Sequence, residues 1–334
     1  MDLDIVFLGT SGSMPTAKRA PTATLIRRGG ERLLFDCAEG TQRQLLRSGI
    51  GLVELREIFL THYHADHYLG LPGMLKTFSL RGRTVPLRVH GPPGLVSLFQ
   101  TLKRIFGQLN YEVDLVELKP GAVLEREAYR IIGFPVSHGI SAIGYALVEE
   151  PRPGRFDVEA ADTLGVPAGH ERGLLQRGES VTLPDGQVVT PDEVLGPPRS
   201  GRKVVLSGDT QPVAAVLEIA QGADVLVHDA TFGDEEEERA RETAHTTARQ
   251  AAQIAAAANV RMLALTHLSN RYFGPELVRE AREVFPETVV PRDFDTIEVR
   301  FQERGGPVLH KAGALEARRD ASPEGEVVAV EEGA

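Results

Sequence analysis

The chain has 334 residues, 42% hydrophobic and 25% charged, with a formal net charge of −10. That is long enough for one large α/β domain plus an insertion or for two domains, and the composition excludes disorder throughout and argues against a surface that coats nucleic acid broadly. A single cysteine, Cys37, excludes an intrachain disulfide and a cysteine-rich zinc site, and an acidic start with no apolar run of membrane-spanning length makes the cytoplasm the expected compartment, with no membrane partner.

In chain order, Ile5-Val6-Phe7-Leu8 reads as an opening strand that runs into Gly9-Thr10-Ser11-Gly12-Ser13. That loop lacks the Lys-Ser/Thr ending of a P-loop, so a tight turn is the better reading than a phosphate cradle. Residues 23–27 and 32–35, joined by Arg28-Gly29-Gly30-Glu31, read as a hairpin, and a helix with Leu45 and Leu46 on its apolar face follows. The run Ile58-Phe59-Leu60 then delivers Thr61-His62-Tyr63-His64-Ala65-Asp66-His67, and a helix is expected from Tyr68 to Ser79.

If residues 60–66 stay extended, alternation projects His62, His64 and Asp66 to one side, with His67 offered from another direction. Imidazole and carboxylate suit zinc and its neighbours, and one tetrahedral ion needs about four ligands. Four candidates in six positions start two sites and complete neither, so further ligands must come from elsewhere.

Strands are expected at residues 87–89, 113–118 and 129–136, the last ending at Ser137-His138-Gly139, with a further strand at 142–148. Taken alone, His138 reads as a hydrogen-bonded structural residue; a site short of ligands makes it a candidate. From about residue 149 to 202 glycines and prolines interrupt every short apolar run, as in a projecting arm or a merely solvated excursion. Regular structure resumes at residues 203–206, ending in Ser207-Gly208-Asp209-Thr210. Residues 225–227 end in His228-Asp229-Ala230-Thr231, Ala244-His245-Thr246-Thr247 precedes an alanine-rich helix, and residues 262–265 end in Thr266-His267. Four times a β-type run ends in His or Asp, at residues 62, 138, 209 and 267. A helix over 276–284 and a strand over 296–301 close the ordered chain, and an acidic tail without periodicity is expected over 311–334.

These motifs resemble the ligand pattern of the metallo-β-lactamase fold, and Phe7-Leu8-Gly9-Thr10, residues 34–42, Ser207-Gly208-Asp209-Thr210 and residues 266–272 resemble the ribonuclease Z family of tRNA 3′-end endonucleases. The resemblance implies an α/β fold, the αββα sandwich of two mixed sheets flanked by helices, with a catalytic domain over 1–310 and an inserted substrate-binding arm over 150–202. It implies two zinc ions, with manganese as the alternative metal: His62, His64 and His138 on one, Asp66, His67 and His267 on the other, and Asp209 between them. It also implies Asp66 as the base for water and His245, paired with Asp229, as the proton donor to the leaving oxygen. The family usually has Glu where Asp229 stands, one methylene longer. Lys18, Arg19 and Arg271 are the candidate substrate contacts; Ala20 replaces a common Asn. Precursor tRNA as substrate and a homodimer, each arm serving the partner's site, complete what the resemblance implies.

Two other readings compete. A small-molecule hydrolase or phosphodiesterase on the same fold has no need of a Gly/Pro-punctuated arm, and a noncatalytic RNA-binding or metal-storing relic has no reason to keep every ligand together with Asp229 and His245.

Overall fold

Runs of Val, Ile, Leu and Phe that bury both faces build the first sheet. The computed structural model describes residues 1–314; the tail expected over 311–334 lies, from residue 315 on, outside them. The first half of the chain contributes β1 (Leu3–Gly9), β2 (Ala23–Arg28), β3 (Glu31–Phe35), α1 (Thr41–Arg47), β4 (Glu57–Phe59), α2 (Ala65–Tyr68), α3 (Leu71–Leu80), β5 (Leu87–Gly91), α4 (Leu95–Phe106), β6 (Val113–Glu117), β7 (Val123–Glu125), β8 (Tyr129–Pro135) and β9 (Ile143–Glu149). After α5 (Val158–Thr163), α6 (His170–Gln176), β10 (Val181–Thr182) and β11 (Val188–Val189) come β12 (Lys203–Leu206), α7 (Ala214–Ala220), β13 (Val225–Asp229), α8 (Glu237–Glu242), α9 (Ala248–Ala257), β14 (Leu263–Thr266), α10 (Gly274–Arg282), β15 (Thr288–Val289), β16 (Thr296–Glu298) and β17 (Val308–His310).

The first sheet runs β17-β16-β1-β2-β3-β4-β5-β6 and the second β15-β14-β13-β12-β9-β8-β7. Every residue of β1 is buried, because Val6 and Leu8 join Leu45, Met74, Phe78 and Leu102 of the helices in one core, leaving Ile5 and Phe7 for the opposite face. On that face Phe35 and Phe59 pack on Tyr145 of β9 at 5.5 and 5.4 Å, and the Tyr145 hydroxyl donates to Leu60 O at 2.8 Å. Sheet meets sheet there, and helices cover the outer side of the first. This is the expected sandwich.

In the second sheet β12 to β15 pair in parallel, so their C-terminal ends share one edge. Helix α9 lies on β13 and β14 through Ala248, Ala251, Ala252 and Ala255, a helix-period stripe small enough for close approach. A capping box between Thr247 and Gln250 fixes its first turn, and with it the preceding loop that carries His245. Among the described residues no helix is long and apolar enough to cross a membrane.

The chain divides into two compact units, one of residues 1–124, 131–147 and 203 onward, the other of residues 125–130 and 148–202. The second unit differs from an arm without a core: Ala161, Val166, Leu175, Val181, Leu183, Val189 and Val194 bury one another. Its apolar runs are too short to show a period, yet they converge. At its neck the backbones of Gly154 and Gly196 touch, so that a Cβ on Gly154 would lie 1.8 Å from Gly196 O; only glycine allows that approach. Arg202 grips Glu149 through Nε and a terminal nitrogen, both at 2.7 Å, in a buried bidentate pair.

Candidate metal centre

Most of the site residues sit where strands end, and the exception is instructive. Strand β4 stops at Phe59, His64 is still extended (φ −74°, ψ 149°), and Ala65 starts α2. Asp66 and His67 are therefore successive helical residues rather than part of an alternating strand. The single extended face expected for His62, His64 and Asp66 is not what forms, because the helical turn carries Asp66 away with His67.

Two groups result, and each draws one histidine from a distant strand end. His64 Nδ1 lies 3.0 Å from both His62 Nε2 and His138 Nε2. Asp66 Oδ2 lies 3.6 Å from His67 Nε2 and 3.3 Å from His267 Nε2. Asp209 Oδ2 stands between them, 3.2 Å from His67 and His267, 3.7 Å from His62 and 4.0 Å from His138. Ligands about 2.0–2.1 Å from a tetrahedral ion are about 3.3 Å from one another, and these separations cluster around that value. Asp209 reaches the centre because Gly208, at φ +62°, presses against Thr61, which a Cβ would meet at 3.0 Å.

The second nitrogen of most of these imidazoles is tied to an oxygen, which fixes ring orientation and tautomer. His62 Nδ1 meets Thr61 Oγ1 at 3.0 Å, His67 Nδ1 meets Asp36 Oδ2 at 2.8 Å, and His138 Nδ1 meets Ala244 O at 3.0 Å. His267 Nδ1 meets Thr231 Oγ1 at 2.8 Å. The Ser13 N–H donates to Asp66 Oδ2 at 2.8 Å. Asp36, Ala244 and His267 all hold φ between 56° and 58°, a cost accepted at each point where the backbone turns a group toward the centre. Sequence reading missed Asp36, Thr61, Thr231 and Ser13. Asp36 carried a usable sign, an acid directly after the buried strand β3.

Electrostatics prepare the donors. Burial, reinforced by the charge of His67, holds His62 well below the usual imidazole range, and burial lowers His64 as well; both favour the neutral form with a lone pair free. Burial opposes the charge on Asp209, but His267 and His67 beside it keep its carboxyl well below the usual range. Asp66 is likewise held low by His267 and His67 against its burial. His67 Nε2 is fully buried and makes no hydrogen bond, although Asp209 Oδ2 is 3.2 Å away. Burial opposes the charge on His67, but the Asp209 and Asp36 carboxylates lift it well above the usual imidazole range, so a cation there would take the place of its Nε2 proton, and with the carboxylates and the neutral His62 and His64 the set fits divalent cations.

Beside this centre His245 stacks on His267 at 5.2 Å and 19° and lies 5.0 Å from His138. Its Nδ1 meets Asp229 Oδ2 at 2.8 Å. Burial alone would lower the pKa of His245, yet the Asp229 carboxylate lifts it to about 9. Thr231 Oγ1 ties Asp229 Oδ1 (2.7 Å) to both His245 Nδ1 (3.2 Å) and His267 Nδ1 (2.8 Å). A cavity of about 240 Å³ opens on His245 and includes Arg271 in its wall. Of the other two basic candidates, Lys18 is exposed, whereas the Arg19 guanidinium is spent on Thr10 Oγ1 (2.5 Å) and Pro291 O (2.9 Å) and is not gathered into the site.

Residues 17–267 match the family described as the metallo-beta-lactamase superfamily. Ribonuclease Z of Haloferax volcanii is 48% identical over 311 residues, covering 92% of this chain and 98% of its own length. Ribonuclease Z of Methanosarcina acetivorans is 45% identical over 303 residues, covering 90% and 99%. The chain belongs to the ribonuclease Z family. The crystal structure of human tRNase Z, short form, superposes on it with a TM-score of 0.65 at 26% identity, covering 89% of this chain and all of that one. For a ribonuclease Z the shorter Asp at position 229 leaves the pairing intact, since its carboxylate still meets His245 at 2.8 Å and is itself fully buried.

Proposed function

We propose that the protein is an endoribonuclease that removes the 3′ trailer from precursor tRNA, using two zinc ions per chain, and that it works as a cytoplasmic homodimer. The observation that carries the chemistry is Asp209 Oδ2 standing within 4.0 Å of four imidazole nitrogens that belong to two separate groups. In this reading His62, His64 and His138 would hold one ion and Asp66, His67 and His267 the other, with Asp209 shared between the two groups. Two bound divalent cations supply Lewis acidity, lowering the pKa of a water and neutralising charge that develops on the phosphoryl oxygens.

The chain's own groups account for the protons. Water attacks phosphorus, Asp66 accepts a proton from it, and the bond from phosphorus to the 3′ oxygen of the tRNA breaks in line. His245 gives that oxygen a proton from Nε2, while Asp229 holds Nδ1–H and favours the imidazolium that donates. The products are a tRNA with a 3′-hydroxyl and a trailer with a 5′-phosphate. Lys18 and the part of the Arg271 guanidinium not taken by Glu236 serve as contacts to phosphates along the RNA; Arg19 serves by bracing the loop that carries Lys18.

Incubation of the purified protein with precursor tRNA, with and without a chelator, tests the proposal directly. Mapped ends should show a 3′-hydroxyl at the trailer junction, lost with chelation and restored by zinc; a 3′-phosphate product or chelator-resistant cleavage would overturn it. The second unit offers a further test. Because Gly154 and Gly196 touch, residues 155–195 can be removed and the neck rejoined. Hydrolysis of bis(p-nitrophenyl) phosphate should persist within about tenfold while precursor tRNA cleavage falls about 10²-fold or more, as expected when remote binding energy is lost. Equal loss of both would make the unit part of the catalytic fold.

A further inference from the structure

The direction of bond breaking makes a demand on the cavity beside His245 that the catalytic groups do not use. If His245 protonates the leaving 3′ oxygen, the nucleoside that owns this oxygen, the last one the tRNA keeps, must lie against His245. One side of the His245 ring faces His138 and His267. The cavity is lined instead by His245, Arg239, Thr243, Asn270 and Arg271, and none of the seven metal-binding candidates borders it.

The wall is basic and held in place. Glu236 binds the Arg271 guanidinium and the Tyr272 hydroxyl (2.6 Å) and draws in Arg239 at 3.8 Å. Immediately after them comes Phe273. The chain has thirteen phenylalanines and six tyrosines; every other ring is buried or partly buried, whereas Phe273 is 76% exposed. Its backbone is fixed at the start of α10, where its N–H donates to Glu276 Oε2 (3.2 Å) and its carbonyl accepts from Glu276 N (2.9 Å). Its Cα is at most about 7 Å from that of Arg271, the span of two residues. An unpaired base has an apolar face and a phosphate at hand, and single-stranded RNA is bound by just this pairing of exposed ring and guanidinium.

We propose that this cavity seats the retained 3′-terminal nucleotide, with Arg271 and Arg239 on the phosphate at its 5′ side and the base reaching past the cavity wall to stack on Phe273, which does not itself line the cavity. Phe273 is then a specificity contact to RNA. The proposal rests on the functional reading above.

A double-mutant cycle tests it. Precursor tRNAs carrying either the normal nucleotide or an abasic residue at the retained position are given to the wild type, Phe273→Ala and Phe273→Trp. Removing the base should cost the wild type about five- to a hundredfold in kcat/KM, the range for one stacked base, but less than about twofold in Phe273→Ala, where the contact is already gone. Phe273→Trp should recover the sensitivity. Equal cost in wild type and Phe273→Ala overturns the subsite while leaving the nuclease reading intact, and so does a change of sedimentation on Phe273→Ala, which would make the ring a subunit contact. Failure of the wild type to cut the unmodified precursor defeats both.

Discussion

Asp209→Ala should strip the two proposed metal ions from the protein and lower precursor tRNA cleavage by about 10³-fold or more, the scale of several kcal/mol of charge stabilisation. The expectation follows from position. Asp209 is 3% exposed, and Oδ2 faces His62, His67, His138 and His267 at once, so its removal takes an anionic donor from each group of imidazoles. Asp209→Asn keeps the volume and loses the charge, and should fall between the wild type and Asp209→Ala in metal content. Elemental analysis beside cleavage kinetics decides the matter: one metal retained with activity within tenfold would assign Asp209 to a single ion and dissolve the bridge.

His245→Ala should separate chemistry from metal binding. Its Nδ1 is committed to Asp229, and His62, His64, Asp66, His67, His138 and His267 form their two groups without it, so two metals should remain bound. Precursor cleavage should drop about 10²- to 10⁴-fold, the usual worth of a general acid. The loss should shrink to less than about tenfold with bis(p-nitrophenyl) phosphate, because p-nitrophenolate leaves without a proton and gains little from a donor. A loss of the same size on both substrates would reassign His245 to holding the phosphate. Loss of metal would make it a ligand, a reading that the grouping of Asp229, His245 and His267 keeps worth testing.

Much of this architecture was readable in the chain because strand ends announce themselves. An apolar run that stops at His or Asp places that residue at a sheet edge, and His138, Asp209 and His267 come together from three such ends. How the first cluster divides was not readable. Whether residues 60–66 stay extended depends on where α2 begins, and the ambiguous step at Ala65 decides which group of imidazoles Asp66 joins. His245 and Asp229 emerged only through likeness to the ribonuclease Z pattern, since neither has a periodic cue. Asp36 and Thr231 act through other side chains, and such second partners depend on tertiary contacts across 31 and 36 residues. The buried cluster at residues 161–194 escaped notice because glycine and proline break it into runs shorter than any period.

That small cluster also bears on how such an enzyme changes over time. A lobe that packs on its own interior and closes on itself through two touching glycine backbones can accumulate surface substitutions without changing the sequence of the strands that carry the seven candidate donors. If the lobe binds substrate as proposed, selection can then alter what it grasps in one lineage and keep the hydrolytic machinery constant across many. Transplanting residues 155–195 between related enzymes should therefore move preference among RNAs while the bond that is cut, and the groups that cut it, stay the same.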